Sequence, residues 1–517
     1  MSKTVNNKKI LKNSISLYFR LIIIMTLTLY SSRLLLKYLG VDDYGLYHVV
    51  GGIVALCSFL SSSMTNATQR FISFEMGKGK DGNINRIFSI CLITHLMMAF
   101  AILIIGETIG LYFVNSYLVI PEDRLFAANF IYQTSIIILI INVISIPYMS
   151  IFVSHEEMGI YASVGIIESL LKLIVAYLLC ISPIDSLIFY GILLVFVSFL
   201  SFLFYFVICK YKHKDIAFLI IWDSNVFKSV FSFSGWNLFG QFSIIAANQG
   251  TNILVNMFHS LSANAAMGIG GQVNGAMQSL ASNIQMAYKP QIVKTFSSGD
   301  YTNLFRLIQQ ATKFAFIVIF IAAVPIIVNI DAVLYIWLGN VPQYSSEFCT
   351  LFILASIFNT IGAAFGNSVD ATGNIKKYQL VTSLMFLSDV IIVYLFFVLG
   401  YPPVSCMMVK AGLNFCVIFM RIHFAKIYIP EFPLREIYIN VLMPIFSVLF
   451  FVVILFFVYI FNDYNTNMIY RICFTFFLSL FSIMGCFYFV MNRSERGFVA
   501  KKIQSFVNNL KRIIGVR

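Results

Sequence analysis

Asn237, Gln241, Asn248 and Asn252 recur at intervals that place them, at about 100° per residue, within a stripe roughly 60° wide on an otherwise apolar helical segment. In the next segment Asn274, Gln278 and Gln285 share a face about 40° wide, and nearer the N-terminus Ser58, Ser62, Thr65 and Gln69 share one about 60° wide. Carboxamides and hydroxyls are neutral donors and acceptors, so they can bind the hydroxyls of a sugar-like ligand or bond one helix to another. Stripes on the second and eighth spans, which correspond in the repeat described below, favour a hydrated cavity between two halves of the molecule.

Ionisable residues inside apolar segments carry a second kind of chemistry, because a charge at membrane depth is costly and is usually functional. Arg20 lies about 9 Å into the first span. Lys172 lies deep in the fifth, one turn after Glu168, in the Glu-before-Lys order that favours self-neutralisation. Lys313 enters the ninth span. Lys410 enters the twelfth from the opposite side, within reach of Asp389 on the preceding helix. The cationic set (Arg20, Lys172, Lys313, Lys410) suits an anionic ligand, whereas Glu107 and Asp389 are the candidate sites for a coupling ion. Snorkelling to the nearer interface is the structural alternative for Arg20, Lys313 and Glu107.

These residues need a membrane-embedded helical frame, and the composition demands one. Of 517 residues 59% are apolar and 11% charged, far from the balance of a soluble domain. Windows of about 19 residues, enough to cross a hydrocarbon core of about 30 Å, give spans near 14–36, 44–64, 88–113, 126–150, 158–181, 184–208, 229–257, 263–286, 308–330, 347–369, 378–400, 404–425, 438–461 and 469–491. The fold class expected is an all-α integral membrane protein of about fourteen transmembrane helices. The formal charge of +13 lies in short basic runs between spans, not on one folded face, which excludes a nucleic-acid surface and reads as a topology signal. With the N-terminus inside, Lys78, Lys80, Arg86, Lys210, Lys212, Lys214, Lys289, Lys294, Lys376 and Lys377 all fall inside, and few basic residues fall outside. Both termini are therefore expected in the cytoplasm.

An internal echo organises the spans. Gly45 opens the second span and Arg86 follows a polar loop; Gly268 opens the eighth and Arg306 follows Ser298-Gly299-Asp300. Two six-helix copies in the same orientation are predicted, an arrangement known in transporters. The boundaries are 1–210 for the first lobe, 211–228 for a linking loop, 229–430 for the second lobe, 431–492 for an additional helix pair and 493–517 for a basic tail. In the tail, Ile503, Phe506, Leu510 and Ile514 lie within an arc of about 80°, an amphipathic pattern suited to the anionic lipid surface.

Several enzyme and cofactor classes lose support. Gly77 to Gly82 matches GxGxxG by letter but follows a membrane helix instead of a strand, and no Walker A sequence occurs. The nine cysteines are scattered without CxxC spacing or a His cluster, so no metal, cofactor or disulfide framework is expected. GxxxG spacings at Gly106, Gly271 and Gly362 read as helix packing.

The stretch Arg33-Leu34-Leu35-Leu36-Lys37-Tyr38-Leu39-Gly40-Val41-Asp42-Asp43-Tyr44-Gly45-Leu46-Tyr47, together with Ala265 to Gln272 and Ala287-Tyr288-Lys289-Pro290, resembles the polysaccharide-biosynthesis branch of the multidrug/oligosaccharidyl-lipid/polysaccharide exporter superfamily, the O-antigen flippases. The resemblance implies two pseudo-symmetric lobes plus two C-terminal helices, no enzymatic activity, and location in a bacterial inner membrane. It also implies a cargo of polyprenyl-pyrophosphate-linked oligosaccharide, flipped to the periplasmic leaflet by alternating access, with polysaccharide polymerase or ligase as partners. Basic cavity residues hold the pyrophosphate in that branch, and Arg20 is the nearest match here. A cation-coupled multidrug exporter shares the fold but usually has twelve spans and acidic cavity residues. A multi-span glycosyltransferase or polymerase would need a sizeable extramembrane loop with catalytic carboxylates or His, which the short loops here lack.

Overall fold

The computed structural model describes residues 7–56, 58–117, 120–219, 223–259, 261–461, 468–497 and 500; the amphipathic pattern of 503–514 lies outside the described residues. Among the described residues the chain is helical throughout, with no strand. The helices are α1 (Asn7–Leu56), α2 (Ser58–Gly77), α3 (Ile84–Ile105), α4 (Leu111–Tyr117), α5 (Leu125–Ser154), α6 (Met158–Leu178), α7 (Ser186–Lys212), α8 (Ser224–Phe258) and α9 (Leu261–Ser297). They continue as α10 (Tyr301–Val328), α11 (Ile330–Leu338), α12 (Ser345–Thr372), α13 (Lys376–Val398), α14 (Ser405–Tyr428), α15 (Leu434–Ile437), α16 (Met443–Phe461) and α17 (Met468–Gly485).

Eleven helical stretches among the described residues are long and apolar enough to cross a membrane. The long helices outside that set are α2, α8 and α9, the three on which the sequence places polar stripes. With the 41–56 stretch running on toward α2, they bring the long helices to the expected fourteen. Large apolar side chains such as Phe126, Ile336 and Phe476 stand exposed, as lipid-facing residues should.

α1 is two helical segments joined at Gly40, whose φ of 81° only glycine adopts without strain. Just beyond this kink the buried Asp43 accepts a hydrogen bond from Arg124 Nη2 at 2.6 Å, while Arg124 Nη1 also bonds Asp185, which caps the N-terminus of α7. One guanidinium thus ties the kink to the starts of α5 and α7.

By contact density the chain forms two compact units. One comprises 1–246, 286–304 and 367–384; the other comprises 247–285, 305–366 and 385–517. In the first, α1 packs on α6 and α5 on α7, around Leu34, Leu39, Val175, Tyr190 and Leu194. In the second, Leu254, Ala266, Phe348, Phe352, Val393 and Met407 form an apolar cluster that brings α8, α9, α12, α13 and α14 together. The C-terminal pair is anchored there by Lys313 of α10. Its fully buried ammonium donates to Asn492 Oδ1 at 3.2 Å and lies 3.7 Å from Glu495 Oε2.

Candidate functional site

Gly165 of α6 decides how Arg20 of α1 is held. A Cβ at position 165 would run into the Arg20 guanidinium, so the bare glycine backbone is the bed on which that side chain lies. The guanidinium stacks over the Tyr161 ring, one turn away on α6, with 4.4 Å from Cζ to the centroid. Its Nε is buried without a hydrogen-bond partner among the described residues. An arginine held by stacking, with donors to spare, is poised to take an oxyanion.

Arg20 opens onto a cavity of about 370 Å³ within the first unit, in the size range of ligand sites. Glu168 and Lys172 line the same cavity and bond each other at 2.6 Å, the helical pair expected from their spacing. Ser31, Ser32 and Ser169 add hydroxyls, and Tyr44, Tyr47 and Tyr190 add aromatic faces. Two cations against one carboxylate leave the site net positive, beside surfaces suited to hydroxyl-bearing rings. Arg20 and Lys172 were candidates from sequence alone. Gly165, Tyr161 and the three tyrosines were not, because a glycine inside a helix or a tyrosine near an interface carries no sign of what it faces.

A second polar cluster lies in the other unit. Lys410 of α14 donates to Asn248 of α8, and Asp389 of α13 accepts from Thr251 Oγ1 at 3.3 Å. Lys410 and Asp389 lie close enough to interact electrostatically, the meeting that their positions on adjacent helices suggested. The second oxygen of Asp389 is buried and unpartnered among the described residues.

The other sequence candidates have more local surroundings. Asn274 accepts from Ser356 at 2.5 Å, and Gln278 donates to the same hydroxyl at 3.3 Å, bonds that join α9 to α12. Asn237 accepts from Gln379 at 3.3 Å. Gln69, Gln241 and Asn252 are half-buried, and the Gln69 carbonyl accepts from Ser154 at 3.4 Å. Glu107 sits in a π-helical turn, where its carboxylate accepts from Gln133 at 3.0 Å. The Lys313 ammonium is spent on the C-terminal anchor. No group of His, Cys, Asp and Glu among the described residues could hold a metal ion.

No known protein-family model matches the chain, and no curated protein sequence matches it. Solved structures do. A multidrug resistance MATE family transporter of the MOP superfamily, in an outward-facing conformation, superimposes with a TM-score of 0.70 at 14% identity, over 82% of this chain and 96% of that one. The fold is that of the MATE transporters. A MATE protein in a bent conformation gives a TM-score of 0.72 at 13% identity, covering 82% of this chain and 96% of its own. A MOP superfamily transporter from Pyrococcus furiosus gives 0.69 at 12%, covering 83% and 99%; the reverse polarity of its binding pocket is said to suggest a different function. Within this MATE fold the Arg20 cavity belongs to α1, α6 and α7.

The dependence on Gly165 is testable by itself. Gly165→Ala should displace the guanidinium and weaken binding of a soluble pyrophosphate probe by about tenfold or more, the loss of one charge-assisted hydrogen bond. Thermal stability of the purified protein should change little, since the displaced group is the far end of a flexible side chain. Unaltered affinity, read by calorimetry, would place the anion elsewhere.

Proposed function

We propose that this chain is a transporter that flips a polyprenyl-pyrophosphate-linked oligosaccharide from the cytoplasmic to the periplasmic leaflet of a bacterial inner membrane, by alternating access and without enzymatic chemistry. The carrying observation is the unpaired, stacked guanidinium of Arg20 in a net-positive cavity that also presents hydroxyls and tyrosine rings. A guanidinium offers paired donors to phosphate oxygens, and Lys172 adds a second charge. The resemblance of the first-loop stretch to O-antigen flippases points to the same cargo, and membrane lipids and a polysaccharide polymerase or ligase are the partners it brings.

A cation-coupled multidrug exporter is the second reading, favoured by the buried Asp389 and by the multidrug transporters among the structures of like fold. The two readings differ in the sign of the ligand's charge. In proteoliposomes, the flippase reading requires competition by pyrophosphate-bearing lipids and indifference to lipophilic cations; the reverse pattern would establish the exporter.

Direction requires a definite sidedness, with both termini in the cytoplasm. In a background lacking the native cysteines, a single Cys in place of Ser2 or appended after Arg517 should resist an impermeant thiol reagent in intact cells and react after permeabilisation. Labelling of either end from outside would invert the topology.

A further inference from the structure

One face of α2 is bonded along its length to later parts of the chain within the first unit. Ser63, Asn66, Arg70, Phe74 and Gly77 lie within an arc of about 80°. Ser63 Oγ donates to the Ser234 carbonyl at 2.7 Å, and Asn66 Oδ1 accepts from Lys289 Nζ at 2.8 Å. Arg70 Nη2 donates to the Ala371 carbonyl at 3.1 Å, and the Phe74 carbonyl accepts from Ser297 Oγ at 2.5 Å. At Gly77 the backbone of α2 comes so close to α9 that a Cβ would collide with the Lys294 carbonyl and the Ser297 Cβ.

Beside this ladder stands Glu156, in the turn between α5 and α6. Its φ of 60° is left-handed, unusual for a residue with a side chain. The buried carboxylate accepts from Lys294 Nζ at 2.8 Å and Gln291 Nε2 at 3.0 Å, and Lys9 lies 3.4 Å away. Burial alone would raise its pKa, but Lys294 and Lys9 outweigh burial and hold it below the ordinary glutamate value, so it is ionised at neutral pH.

We infer that this ladder is a releasable latch in which the Glu156–Lys294 ion pair is the lock, joining α2 and the α5–α6 turn to the end of α9. The inference rests on the alternating-access reading above and adds to it the contacts that must part. The rungs are hydrogen bonds and one ion pair, with a bare glycine at the closest approach, and the aromatic pairs Phe71–Phe233 and Phe74–Phe296 lie beside them. Water entering on separation can replace each bond, whereas separated apolar side chains would gain no such compensation. The strained turn points the same way, since an uncommon backbone conformation persists only where its surroundings hold it.

The test uses the full-length chain with its nine native cysteines replaced and a reporter, Ala67→Cys, on the latched face of α2, where Ala67 is fully buried. The labelling rate by a hydrophilic maleimide is measured on detergent-purified protein, which requires neither cargo nor known sidedness. Glu156→Gln should raise the rate about tenfold, as expected for an open–closed equilibrium that loses one charge-assisted bond. Lys294→Met should do the same, and the double variant should label no faster than either single one, because both remove one shared interaction. If Glu156→Gln does not reach the membrane, Lys294→Met gives the same reading. Unchanged rates in the single variants, or rates that multiply in the double variant, would overturn the latch. Faster labelling with undiminished surface polysaccharide would uphold the latch and count against the flippase reading instead.

Discussion

Arg20→Ala should abolish surface polysaccharide and leave lipid-linked precursor in the inner leaflet, at unchanged membrane abundance of the protein. The guanidinium is stacked on Tyr161 and bedded on Gly165, with its Nε buried and unpartnered. Its removal takes a charge and several donors from the cavity while breaking no ion pair among the described residues. Losing a hydrogen bond to a charged group costs about 1.5–3 kcal/mol, which is roughly a 10- to 150-fold loss of affinity for a pyrophosphate head group. Arg20→Lys should keep part of the function, because the charge survives and the planar fork does not. Variants of Asn248 or Asn252 should do less harm, since a neutral hydrogen bond contributes about 1 kcal/mol and water can stand in. The measurement is complementation of a deletion strain by each variant at matched abundance. Full surface polysaccharide with Arg20→Ala would reduce Arg20 to a packing residue and move the search for an anion site to Lys410.

Glu495→Ala should cause the largest loss of stability, about 3–5 kcal/mol, the cost of leaving a buried charge without its partner. The Lys313 side chain is fully buried, and its ammonium has Glu495 at 3.7 Å and Asn492 at 3.2 Å. Without the carboxylate, the charge in α10 keeps only a neutral acceptor, and the chain segment after α17 loses an ionic fastening to α10. Replacing both partners, Lys313→Met with Glu495→Leu, should recover most of the loss, because the uncompensated charge disappears with its partner. Thermal unfolding of the purified protein in detergent distinguishes these outcomes. Equal melting temperatures for Glu495→Ala and the parent would show that Asn492 alone suffices.

Hydropathy and periodicity made much of this legible in advance. A span needs about 20 apolar residues, so the order of the spans can be read from the chain, and the polar stripes mark the three long helices outside the strongly apolar set. The Glu168–Lys172 pair was legible because partners four residues apart on a helix meet whatever surrounds them. Long-range partners were not. Lys313 looked like a cavity cation, yet its ammonium is taken by residues some 180 positions away, at 492 and 495. Glu156 sits in a polar loop with no pattern to mark it, yet it holds Gln291, Lys294 and Lys9 at once because α9 and the start of α1 converge on it.

What the amino-acid sequence determined by itself is the membrane as solvent, the all-helical fold class and the local pairing along each helix, because these follow from the 1.5 Å rise and 3.6-residue turn of a single helix. What only the tertiary structure decided is which cation remains unspent. Arg20, Lys172, Lys313 and Lys410 are alike in being charges within apolar segments, and their roles diverge because one faces a glycine and a tyrosine ring while the others meet a carboxylate or carboxamide. Those partners come from helices distant in sequence, and a one-dimensional pattern holds no information about them.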